Sequence, residues 1–132
     1  MVEKTINILG KDVRICYCAG TENAFEQITG KSISVFVPTF GKDENGQTII
    51  TQKAEALTGD YIFLGIGGII TAYSRTNEEK PVTDAQILYD AQPQDISTLV
   101  TTIAELRNKW YNVPEVIERE EQPAEEEDKP KN

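Results

Sequence analysis

The stretch TGDYIFLGIGGIITAYSR, beginning at Thr58, constrains the fold more than any other part of the chain. From Tyr61 to Tyr73 it is apolar nearly all round, so whatever it forms must be enclosed by other elements. A buried helix and a buried strand both read this way. Gly65, Gly67 and Gly68 would together cost a helix roughly 2 to 3 kcal/mol relative to alanine. Against that, the run is longer than an ordinary strand, Asp60 is a good N-cap, and small residues let neighbouring helices approach closely. A central buried helix is therefore expected.

Its neighbours are legible on both sides. After it, the segment DAQILYDA reads as a short helix capped by Thr83 or Asp84, with Ile87 and Leu88 as its buried edge. Ile96, Leu99, Val100, Ile103, Leu106 and Trp110 then fall on one helical stripe, which predicts a long helix from about Pro93 to Tyr111. Pro93 suits a first helical turn, Asp95 complements the positive end of the helix dipole, and Val113-Pro114 ends the helix. Trp110 is expected to be the last anchor of the core stripe. Tyr111 lies roughly 100° round from it and is expected on the surface.

Before the central helix, KTINIL and VRICYC alternate apolar and polar residues on either side of Gly10-Lys11-Asp12, the pattern of a β-hairpin. Cys16 and Cys18 sit two apart, the spacing that puts strand side chains on one face, and packing is the reading for both. TENAFEQITG predicts a short helix with Thr21 as cap, Ala24, Phe25 and Ile28 inward, and Gly30 as the stop. Residues 37–52 are either a second hairpin turning at Asn45-Gly46 or a long loop. The fold class is thus α+β and mostly helical: an N-terminal β-hairpin followed by about four helices.

Composition sets the remaining bounds. A chain of 132 residues, 39% hydrophobic, can bury one modest core. The expected organisation is a single compact domain over 1–113 and a disordered acidic tail over 114–132. From Glu115 onward eight acidic residues face Arg119, Lys129 and Lys131, with almost nothing apolar after Ile117. A net charge of −9 opposes both nucleic acid and an anionic membrane surface. No apolar run is long enough to cross a bilayer, and the opening MVEKTINILGKDVR has no signal-like hydrophobic segment, so a cytoplasmic location is expected.

The chemistry of catalysis finds little to use. The chain has no histidine, which removes the usual general base near neutral pH and the commonest metal ligand. Neither cysteine has an evident base beside it, and the paired carboxylates lie in polar, solvated stretches. GIGGII lacks the spacing and lysine of a phosphate-binding loop. No catalytic residue, cofactor or metal site is expected, and the chain is not read as an enzyme.

Three pieces in order, AFEQITGKSI, a hydrophobic helix ending in ITAYSR, and LYDAQPQDISTLVTTIAELRNKWYNVP, resemble the small tail assembly chaperones of long-tailed bacteriophages and prophages. The resemblance implies a non-catalytic, mostly helical protein. Its partners would be the tape measure protein and the tail tube protein, and it would act in the host cytoplasm and be absent from the mature virion. The mechanism expected is burial of apolar helical surface, with Tyr73, Trp110 and Tyr111 as first candidates for partner-binding anchors. For Trp110, ordinary core packing is the favoured reading, because it continues the stripe. A structural connector that stays in the virion and a bacterial adaptor unrelated to phage are the alternatives, and homo-oligomerisation stays open.

Overall fold

A computed structural model describes residues 1–112; the expected acidic tail, and Val113 before it, lie outside the described residues. In chain order the elements are β1 (Val2–Ile8), β2 (Lys11–Tyr17), α1 (Ala19–Thr29), a 3-10 turn (Ile33–Phe36), β3 (Thr39–Lys42), β4 (Thr48–Gln52), α2 (Thr58–Thr76), α3 (Asp84–Asp90) and α4 (Pro93–Trp110). The α+β, mostly helical class read from the sequence is the one observed.

Helix α2 is the apolar run, and its three glycines explain how it is enclosed. A methyl group on Gly65 would lie 2.7 Å from Leu99 of α4, one on Gly67 3.0 Å from the Thr21 carbonyl of α1, and one on Gly68 2.7 Å from the Cys16 carbonyl of β2. Each glycine thus lets a different neighbour close onto the helix. The propensity cost is offset by contact along Leu64, Ile66 and Ile69, all essentially without exposure.

Strands β1 and β2 pair antiparallel, from Val2 opposite Tyr17 to Ile8 opposite Lys11. The turn is Leu9-Gly10, both at positive φ (53° and 73°), so Lys11 and Asp12 belong to β2 and not to the expected spacer. Leucine is a poor choice for that backbone region. Its N–H donates to Asp95 Oδ1 at 3.1 Å, while Asp95 Oδ2 accepts from the Gln92 N–H at 2.9 Å at the start of α4. One carboxylate thereby caps a helix and holds a distant turn. The free edge of β2 is covered rather than open. The Arg14 N–H donates to the Tyr73 hydroxyl at 3.0 Å, and the Cys16 carbonyl accepts from Thr21 Oγ1 at 3.0 Å.

Two helix starts differ from expectation in the same way. Helix α1 begins at Ala19 with Cys18 as N-cap, so Thr21 is the third helical residue, its hydroxyl accepting from the Cys18 N–H at 3.3 Å. Helix α2 begins at Thr58 with Leu57 as N-cap, and Asp60 Oδ2 reaches back to the Leu57 N–H at 2.9 Å. Both side chains satisfy the helix end from inside its first turn. Cys18 therefore leaves the strand, and only Cys16 is fully buried. Phe25 points inward as expected and Gly30 closes α1 at φ 73°, whereas Ile28 faces outward.

Phe25, Phe36 and Tyr61 stack edge to face, with centroids 5.1 and 4.9 Å apart, joining α1, the 3-10 turn and α2. Residues 37–52 resolve into the hairpin alternative, turning through Gly46 at φ 81°, with a register shift between Thr39 and Phe40. In α3 the cap is Thr83, accepting from the Gln86 N–H at 3.0 Å; Ile87 is buried but Leu88 faces out, contrary to expectation. Pro93 opens α4, and Leu99, Ile103 and Leu106 enter the core.

Candidate functional site: an apolar interaction surface

The three expected anchors occupy three different settings. Tyr73 is buried, its ring lies 4.5 Å beneath the Arg14 guanidinium, and its hydroxyl is taken by the Arg14 N–H. Arg14 is itself held by Glu3 at 3.2 Å, by Thr76 Oγ1 at 3.0 Å and by Glu78. Tyr73 is therefore an edge-covering core residue and not an exposed anchor, which corrects the expectation. Burying its ring and spending its hydroxyl on β2 leaves nothing to offer a partner.

Tyr111 is surface-exposed as expected, yet it is tied down. Its hydroxyl donates to Glu22 Oε2, the oxygen that also accepts from Tyr17 at 2.8 Å. Its ring meets Tyr17 edge-on at 6.3 Å and the Arg107 guanidinium at 4.9 Å. The hydrogen bond to Glu22, with partial burial, raises the Tyr111 pKa; burial first and then the same carboxylate raise that of Tyr17. Both therefore stay protonated donors near neutral pH. Trp110, expected to finish the core stripe, is 38% exposed. The last buried residue of α4 is Leu106, so the helix runs on past the core it packs against.

The surface that the sequence did not single out lies at the other end of α4. A groove of about 450 Å³ is lined by Thr58 of α2, Ala91 of the α3–α4 link, and Pro93, Ile96, Ser97, Val100 and Thr101 of α4. On α4 these residues sit about a third of a turn round from Leu99, Ile103 and Leu106. Ile96 and Val100, read from the sequence as core-stripe members, form the apolar floor and remain partly exposed. Near the lining residues in the chain, Leu57 (68% exposed), Leu88 (43%) and Tyr89 (82%) are exposed large side chains.

Other ionic features are structural. Asp60 is buried, paired with Lys31 Nζ at 2.8 Å, and that bond together with the Leu57 N–H holds its carboxyl below the ordinary range. Burial pushes the Cys16 thiol up to about 11, with its sulfur 3.6 Å from the Gly68 carbonyl. Among the described residues no helix is long and apolar enough to cross a membrane. No protein-family model, curated protein or solved structure matches the chain. The likeness to tail assembly chaperones therefore stands on the three quoted sequence pieces.

Proposed function

We propose that this protein is a non-catalytic chaperone that shields an apolar helical stretch of another polypeptide, as the resemblance to phage tail assembly chaperones implies. The tape measure protein is the client, and the tail tube protein is recruited to the same complex. The work is done in the host cytoplasm and the chaperone is absent from the finished particle. The observation that carries the reading is the groove lined by Thr58, Ala91, Pro93, Ile96, Ser97, Val100 and Thr101, with Ile96 and Val100 as its apolar floor. A helix laid there would bury apolar anchors at i, i+3, i+4 and i+7.

Charge narrows the client further. The net charge of −9 favours a helix with lysine or arginine beside its apolar stripe. Trp110 and Tyr111 lie toward the opposite end of α4, whose 18 residues span about 27 Å. That separation makes the site testable. In co-expression with the tape measure protein of the same genome, Val100→Glu should abolish co-purification while Trp110→Ala retains it. Retention by Val100→Glu with the fold intact would reject the groove.

A further inference from the structure

We infer that Asn45 is a self-modification site: when the tip of the second hairpin opens, its side-chain amide is lost by closure onto the Gly46 nitrogen, leaving aspartate and isoaspartate at position 45. The inference is independent of the chaperone reading. It begins from a pairing of residue types. Of the asparagines in the chain, Asn45 alone precedes a glycine. Glycine has no Cβ to shield its nitrogen and rotates freely, so that nitrogen can reach the carboxamide carbon of the residue before it.

The fold then sets Asn45 apart from the others. Asn7 stands in β1 with its side-chain amide donating to Asp12 at 3.2 Å. Asn23 and Asn108 lie within α1 and α4, whose backbone is held in the helical ladder. The nitrogen after Asn77, that of Glu78, donates to the Tyr73 carbonyl at 3.0 Å. Asn112 precedes the branched Val113. Asn45 and Gly46 are both exposed at a hairpin tip, and Phe40 and Ile49, 53% and 40% exposed, give that hairpin little packing to resist opening.

One side chain restrains the reaction. Asp43 Oδ1 accepts from the Asn45 and Gln47 N–H groups, both at 2.9 Å, and the Asp43 carbonyl accepts from the Gly46 N–H at 3.0 Å. The attacking nitrogen is thus engaged while the turn is closed, and it reacts from the open form. A bond then forms between the Gly46 nitrogen and Asn45 Cγ, and the Cγ–Nδ2 bond breaks. The proton of the Gly46 nitrogen passes through solvent to Nδ2, which leaves as ammonia. Water opens the resulting cyclic imide at either carbonyl, restoring the ordinary main chain with aspartate or routing it through the side chain as isoaspartate. Either product adds a negative charge beside Asp43 and Glu44, and the lengthened main chain of isoaspartate no longer fits the turn that sets Lys42 opposite Thr48. The second hairpin therefore loosens from its tip as the protein ages.

The test incubates the folded full chain at mildly alkaline pH and samples it over time. Trypsin, cutting after Lys42 and Lys53, releases the segment as one peptide for mass spectrometry. Amide loss should appear at Asn45 before any other asparagine, with isoaspartate the larger product. Asp43→Ala should accelerate the loss about tenfold, the factor that about 1.4 kcal/mol of turn stability carries, bringing the rate toward that of the free peptide. Another asparagine reacting first, aspartate without isoaspartate, or an Asp43→Ala chain reacting no faster than wild type would each overturn the inference.

Discussion

Replacing Gly68 with alanine sets two well-separated effects against each other. In a helix interior the change alone should stabilise by about 1 kcal/mol, since alanine is the better helix former. Here the new methyl group would lie 2.7 Å from the Cys16 carbonyl oxygen, 2.9 Å from Ile15 Cγ1 and 3.0 Å from Ile103 Cδ1. The first of these is backbone, held in β2 by pairing with β1, and cannot rotate away. Overpacking of this kind costs about 1 to 3 kcal/mol, and the crowding of three neighbours at once places Gly68→Ala toward the upper part of that range. Clash therefore outweighs propensity, and the net effect is a loss of roughly 1 to 2 kcal/mol. Gly59, in the first turn of the same helix, has nothing within 4 Å of the corresponding position, so Gly59→Ala should be neutral or gain a few tenths of a kcal/mol. Urea unfolding followed by circular dichroism at 222 nm reads both. With a slope of about 1 to 3 kcal/mol per molar, the Gly68→Ala midpoint should fall by roughly 0.3 to 2 M while that of Gly59→Ala does not fall. A Gly68→Ala protein as stable as wild type would refute the argument that α2 is enclosed through its glycines.

Further outcomes follow from single side chains. Asp95→Ala should cost about 1 to 3 kcal/mol, since it removes a helix cap and the bond that holds the Leu9 turn; hydrogen exchange at the Leu9 amide should accelerate with it. Because the folded-state pKa of Asp60 is lowered, its stabilising contribution is complete above the ordinary carboxylate pKa and fades as pH falls below about 4. Asp60→Asn should therefore be less stable at pH 7, and should lose less stability than wild type on acidification in thermal melts. In a Cys18→Ala background, Cys16, with its thiol pushed up to about 11, should resist an aromatic disulfide reagent at pH 8 until the protein is unfolded.

The long-range plan of this fold was legible where periodicity is strong. Helix α4, the apolar run of α2 and the N-terminal hairpin all follow from side-chain spacing, because burial of one face selects one period. What escaped was local geometry set by distant partners. Leu9 adopts a left-handed conformation that its own side chain disfavours, and the residue that holds it, Asp95, lies 86 positions away. Thr21 and Asp60 were the right residues for the helix starts at the wrong positions. Each bonds back from within the first turn, so the helix begins earlier than a polar cap residue suggests.

The interaction surface was only half visible. Ile96 and Val100 stand out as apolar, but spacing alone cannot tell a residue that meets the core from one that meets an open groove. The difference depends on where the α3–α4 link runs. Trp110 shows the converse: it continues the stripe by spacing, yet the packed core stops at Leu106. Tyr73 was misplaced because its hydroxyl answers an edge N–H of β2, a need that its own segment does not reveal.

The central claim, that an apolar helix of a client lies over α4 and the start of α2, is tested most directly by NMR. An isotope-labelled sample of this protein would be titrated with a peptide from the most hydrophobic helical repeat of the tape measure protein. Saturable shifts should concentrate at Thr58, Ile96, Ser97, Val100 and Thr101 and leave the Trp110 indole N–H unmoved. Shifts confined to Trp110 and Tyr111, or no saturable shift at all, would contradict the account.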